Sequence, residues 1–128
     1  MTYILLQYEI LTINSIRVTN CVVKKKSWVL DQYRTPELLK HEQYHFNLSE
    51  IFAREMRKEL STISEPSSKI VQEIYDKWIV NYYEEQAIYD KETAHSQITS
   101  EQLRWQEKID TKLYELTSYK EEIVYLNQ

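Results

Sequence analysis

The chain has 128 residues, a formal net charge of −4 and no glycine at all, where average usage would give roughly nine. Mild acidity argues against a general nucleic-acid binder, which should read basic. The missing glycine excludes the dinucleotide fingerprint, the phosphate-binding P-loop, the serine nucleophile elbow and the ordinary EF-hand loop, because each needs glycine for its backbone geometry. One cysteine, Cys21, leaves no intrachain disulfide and no cysteine-cluster zinc site. Beside Val22 and Val23 it reads as a buried structural thiol. No stretch approaches the roughly 20 apolar residues of a membrane span. Met1 to Leu11 lacks a basic start and a small-residue cleavage site, so no signal peptide is expected there.

The length suits a single domain, residues 1–128. Residues 1–34 read as β structure in two or three short strands. Tyr3, Leu5, Ile10 and Leu11 come first, then Ile16, Val18 and Cys21 to Val23, then Ser27-Trp28-Val29-Leu30. Asn14-Ser15 and Thr19-Asn20 are turn candidates. Residues 35–128 read as helical. Thr35 can cap a helix and Pro36 suits its first turn. Leu38, Leu39, Phe46, Leu48, Ile51, Phe52, Met56 and Leu60 keep a helical spacing to about Thr62. Ser61 to Ser68, with Pro66, breaks it.

A second helix is expected from about Ser67 to Asp90. Val71, Tyr75, Trp78, Tyr82, Glu85 and Tyr89 form its stripe, with Glu85 a charge where an apolar residue belongs. Thr99 and Gln102 suggest a capping box for a third helix over Ser100–Ser118, with Leu103, Ile109, Leu113 and Leu116 inward. Glu121 to Gln128 extends that helix or forms a short strand. The fold class is α+β: a small N-terminal antiparallel β section followed by long helices.

Inside the first helix stands His41-Glu42-Gln43-Tyr44-His45. Residues i and i+4 share a helical face, so both imidazoles can reach one metal. Neutral imidazole is a good zinc ligand, and Glu42 can take a proton from a metal-bound water without being a ligand. The bland alternative is a helix with two surface histidines and a solvated glutamate. A catalytic zinc needs a third protein ligand. His45 stands about 17 residues before the expected helix end, roughly 26 Å at 1.5 Å per residue. An antiparallel second helix regains that height near Glu84 or Glu85 and reaches His41 near Ile88 or Tyr89. Glu85, Asp90 and His95 therefore bracket the site.

Leu38 to Phe46, with Glu50, Ala53 and Arg54, resembles the core motif of the bacterial domain-of-unknown-function family nine-twenty-two, whose members are described as predicted secreted zinc-dependent proteases. Tyr89-Asp90-Lys91-Glu92-Thr93-Ala94-His95-Ser96, then Gln102 and Trp105, is similar to that family's second block, and Ser27-Trp28-Val29 also fits. The resemblance spans about Ile16 to Leu113. It implies a zincin-like domain, a zinc ion, an exported location and a peptide or protein substrate. It ranks His95 first as third ligand and Asp90 second. The implied mechanism is hydrolysis by a zinc-activated water with Glu42 as general base and a phenol such as Tyr89 helping the oxyanion. An exposed edge of the β section would hold an extended peptide. The alternative function is a non-catalytic zincin-like or structural-zinc helical protein that serves as an interaction module; a third is a zinc hydrolase of non-peptide amides.

Other features read blandly. Lys24-Lys25-Lys26 is a solvated run. The 11 tyrosines and three tryptophans are packing residues first. Arg54, Arg57 and Lys58, interleaved with Glu50, Glu55 and Glu59, read as a solvated mixed-charge face.

Overall fold

A computed structural model describes residues 2–24 and 35–126. The expected strand at Ser27–Leu30 and most of the lysine run lie outside the described residues. Two strands, β1 (Thr2–Thr12) and β2 (Ser15–Lys24), form an antiparallel hairpin. The chain turns at Ile13-Asn14 with no positive φ. Tight two-residue hairpins normally rely on left-handed residues such as glycine. Here the register instead slips between Ile10 and Thr12, as a bulge that absorbs the twist. Thr19-Asn20, expected as a turn, lies inside β2. Asn20 is there because its side chain faces helix residues: its amide donates to the Phe46 carbonyl at 3.3 Å and its oxygen accepts from Ser49 Oγ at 2.7 Å.

Helix α1 (Pro36–Leu60) starts where the sequence places it, with Thr35 Oγ1 accepting from the Leu38 amide at 3.1 Å. Helix α2 (Ser68–Thr93) is capped by Ser67 and runs one turn beyond the expected Asp90. Helix α3 (Thr99–Glu115) follows, then a single 3₁₀ turn at Thr117–Tyr119. A third strand, β3 (Ile123–Tyr125), returns to pair antiparallel with β2, so the sheet order is β1-β2-β3. The β layer thus takes its last strand from Ile123–Tyr125, the short strand that is one of the two alternatives for Glu121 to Gln128.

Helix α1 is the central element and packs against β2, α2 and α3. It is accordingly buried on more than one face: His41, Tyr44, Leu48 and Phe52 on one side, Ala53, Met56, Arg57 and Leu60 on another. Leu6, Ile16 and Val18 of the sheet join these in one core with Val71, Tyr82 and Tyr89 of α2 and Trp105 and Ile109 of α3. Complete burial of each such side chain is worth about 1.5–3 kcal/mol.

Three expectations about packing are corrected. Leu103 is 59% exposed; Ile109, Leu113 and Leu116 face inward as expected, and Gln102 and Trp105 join them in place of Leu103. Cys21 is half-buried rather than buried, on the sheet face away from the helices. Arg57, read as solvated, is 2% exposed. Its Nη2 donates to the Val18 carbonyl at 2.7 Å, and Nη1 donates to the Tyr119 carbonyl and to Glu50, each at 3.0 Å. A guanidinium can serve several acceptors at once, and here it ties α1 to β2 and to the chain end. Arg54 is also held, donating to Glu50 at 2.9 Å and to the Leu113 carbonyl at 2.6 Å.

Candidate metal centre

His41, Glu42 and His45 lie in the second and third turns of α1, opposite the C-terminal end of α2. His41 is 1% exposed and His45 is half-buried, while Glu42 is exposed. The antiparallel pairing inferred from the sequence brings Tyr89 and Asp90 to these histidines. Both Nε2 atoms converge on one oxygen of Asp90: His41 Nε2 is 2.8 Å and His45 Nε2 2.6 Å from Oδ1. His95 Nδ1 is 3.6 Å from the same oxygen, with its side chain 75% exposed.

His95 reaches that position through an uncommon backbone. Ala94, His95 and Ser96 all have positive φ, at 48°, 54° and 84°. They reverse the chain after α2, with the His95 amide donating back to the Asp90 carbonyl at 3.0 Å. Side chains with a Cβ resist this region by roughly 1–2 kcal/mol per residue. Such stored strain concentrates at functional sites. Ser96→Gly should relieve its share, offset by about 0.4–1 kcal/mol of added unfolded-chain entropy. We therefore expect a melting temperature equal to or modestly above wild type, and a clear drop would contradict the strain.

The inner ends of the imidazoles are held by amides. His41 Nδ1 lies 2.8 Å from Gln102 Oε1, and His45 Nδ1 is bonded to Gln86 Oε1. Gln102 Nε2 donates to the Tyr89 hydroxyl at 2.8 Å, and that hydroxyl donates to the His41 carbonyl at 2.9 Å. The Tyr89 ring stacks on His41 at 4.5 Å and meets Trp105 edge-on at 5.4 Å. Burial pushes the Tyr89 phenol well above its usual range, against the opposing Gln102 bond, and the negative Asp90 and Glu42 add to the rise. The phenol therefore keeps its proton and its donor role. Its hydroxyl is fully buried and engaged twice. It is held between Gln102 and the His41 carbonyl.

Two sets of side chains among the described residues bring ligand atoms within 4.8 Å of one another: His41, Glu42, His45 and His41, Asp90, His95. Glu85 belongs to neither. It lines a groove of about 700 Å³ with Leu48, Phe52, Trp78 and Trp105, which accounts for its place on the α2 stripe. The capping box is absent as well: Ile98 is the N-cap and no side chain caps α3. Gln102 is turned inward to His41 instead. Gln86 escapes a reading of the sequence; its only signal is its place one turn before Asp90.

A model of the family described as "Bacterial protein of unknown function (DUF922)" matches residues 19–96, more than half of the chain. The chain belongs to this family. The match takes in β2 from Thr19, α1, α2 and all three histidines; Gln102 and Trp105 fall beyond it. No curated protein and no solved structure matches the chain.

Proposed function

We propose that this family member is a zinc-dependent hydrolase of peptide bonds, with His41, His45 and Asp90 holding the metal and Glu42 as general base. One observation supports the reading above others: two imidazole Nε2 atoms and a carboxylate oxygen meet at 2.6–2.8 Å. Their lone pairs repel unless a proton or a cation lies among them, and two nitrogens with one carboxylate oxygen suit zinc. Asp90 touches both Nε2 atoms, whereas His95 stands at the exposed rim, so this reading puts Asp90 before His95 as third ligand.

When bound, zinc supplies a Lewis acid and a water acidified towards neutrality. Glu42 projects from the same turn as His41 with its oxygen inside the donor group, where it can accept a water proton and return it to the leaving amine. His95, exposed and adjacent, meets what enters. The edge of β1 offers backbone groups to an extended peptide, except at Leu6, whose carbonyl accepts from Tyr75 at 2.8 Å. No helix among the described residues is long and apolar enough to cross a membrane.

One observation favours the second reading, a structural zinc site on a protein-interaction module: His41, Asp90 and His95 form a donor group of their own, and with His95 as a fourth ligand no position would be left open for a water. Zinc stoichiometry tests the ligand set. We expect near one zinc per chain in wild type, its loss in His41→Ala and Asp90→Ala, weakening in His95→Ala, and no change in Glu85→Ala. No zinc in a folded wild type would overturn both readings.

A further inference from the structure

We infer that Gln86 and Gln102 are a matched pair of positioning residues that hold both histidines by a protonated Nδ1 and so aim both Nε2 atoms at the Asp90 oxygen, where a cation would sit. The inference rests on the metal reading above but is argued from hydrogen-bond accounting alone.

A glutamine amide has one accepting oxygen and one donating nitrogen, and which end faces a partner follows from the rest of the network. For Gln86 the deciding partner is a backbone carbonyl. The atom 3.0 Å from the His45 carbonyl must be the amide nitrogen, since a carbonyl only accepts. The oxygen then faces His45 Nδ1, which must carry the hydrogen. For Gln102 the same logic runs through Tyr89. The single phenolic proton goes to the His41 carbonyl, so the hydroxyl accepts from Gln102 Nε2. Gln102 Oε1 is left for His41 Nδ1 at 2.8 Å, and that nitrogen too is the protonated one.

Both clips close on the histidine they orient. Gln86 grips the side chain and the carbonyl of His45 directly; Gln102 grips those of His41 with Tyr89 as the link. The amide cannot turn over without placing oxygen against oxygen at the far end. Metal-binding histidines usually donate their second nitrogen to a carboxylate or carbonyl, and losing that partner costs about 10–100-fold in metal affinity. A neutral amide does this job without adding negative charge beside Asp90 and Glu42.

The test begins with wild type, so it needs no variant to fold. Long-range ¹H–¹⁵N correlation spectra of metal-free protein should show protonated Nδ1 for both His41 and His45, and adding zinc should leave both Nδ1 atoms protonated. Gln102→Leu should release His41 alone and Gln86→Leu His45 alone, each weakening zinc binding about 10–100-fold. A bare Nδ1 at either histidine in wild type, or leucine variants in which both Nδ1 atoms stay protonated, would overturn the proposal. A wild type with both Nδ1 atoms protonated that binds no zinc would leave the glutamine assignment standing and remove the metal reading instead.

Discussion

Arg57→Met should destabilise the fold by about 3–5 kcal/mol, the cost of stripping one partner from a buried charged network. Methionine fills similar space and keeps the helix. What it removes is donors. Val18 sits just past the end of the β2–β3 pairing: its amide donates to the Glu122 carbonyl at 2.9 Å, and its carbonyl is held by Arg57. The Tyr119 carbonyl also depends on Arg57, and the 18%-exposed Glu50 would keep Arg54 and Asn20 but lose one of its donors. Arg57→Met leaves these acceptors short inside the protein, and each buried unpaired group costs about 1–3 kcal/mol. Total stability of a domain this size is of order 5–15 kcal/mol, so urea denaturation should show a large fall in midpoint. Arg57→Lys should rescue little, since an ammonium cannot span the same acceptors. Arg54→Met should cost less, because Arg54 is 17% exposed. A midpoint close to wild type in Arg57→Met would show that β2 and the chain end are held by packing alone.

What is legible in the sequence is whatever is local. Thr35 and Ser67 cap their helices because a hydroxyl three residues before an amide is a short-range arrangement. The spacing of His41 and His45, and the antiparallel reach to Asp90, follow from helix geometry alone. Sequence and structure part where a polar residue takes a core position. An apolar count prefers Leu103 to Gln102, yet Gln102 is buried because it has partners on both ends of its amide. Arg57 reads as one more surface charge among glutamates, since nothing in a charge pattern reveals acceptors on a distant strand. The pairing of β3 with β2 joins residues more than a hundred positions apart, so a local pattern offers a short strand there only as an alternative to helix and does not say which strand it joins. Tyr89 stands at the height that helix periodicity gives it, beside His41, with its hydroxyl held between Gln102 and the His41 carbonyl. Periodicity fixes where a side chain stands, while its hydrogen-bond partners decide what its hydroxyl does.

Glu42→Gln should lose about 10²–10⁴-fold in peptide turnover, with zinc content and melting temperature unchanged. The substitution keeps size and shape and removes only the ability to take up a proton. Glu42 is exposed on α1, so the fold does not rest on burying it. His41→Ala is the contrasting change: it deletes a donor atom, the stacking partner of Tyr89 and the acceptor-bound end of Gln102, so metal, stability and turnover should fall together. Because Glu42 lies in one donor group with both histidines, it has an alternative role as a ligand, and the zinc measurement separates the two. Zinc retained with turnover lost makes Glu42 the proton carrier. Zinc lost makes it part of the metal shell, and the general-base role falls. A zinc-loaded wild type that cleaves none of a diverse set of unfolded proteins and peptides would favour the closed structural site with His95 as its fourth ligand. In that case His95→Ala should strip the metal as completely as Asp90→Ala.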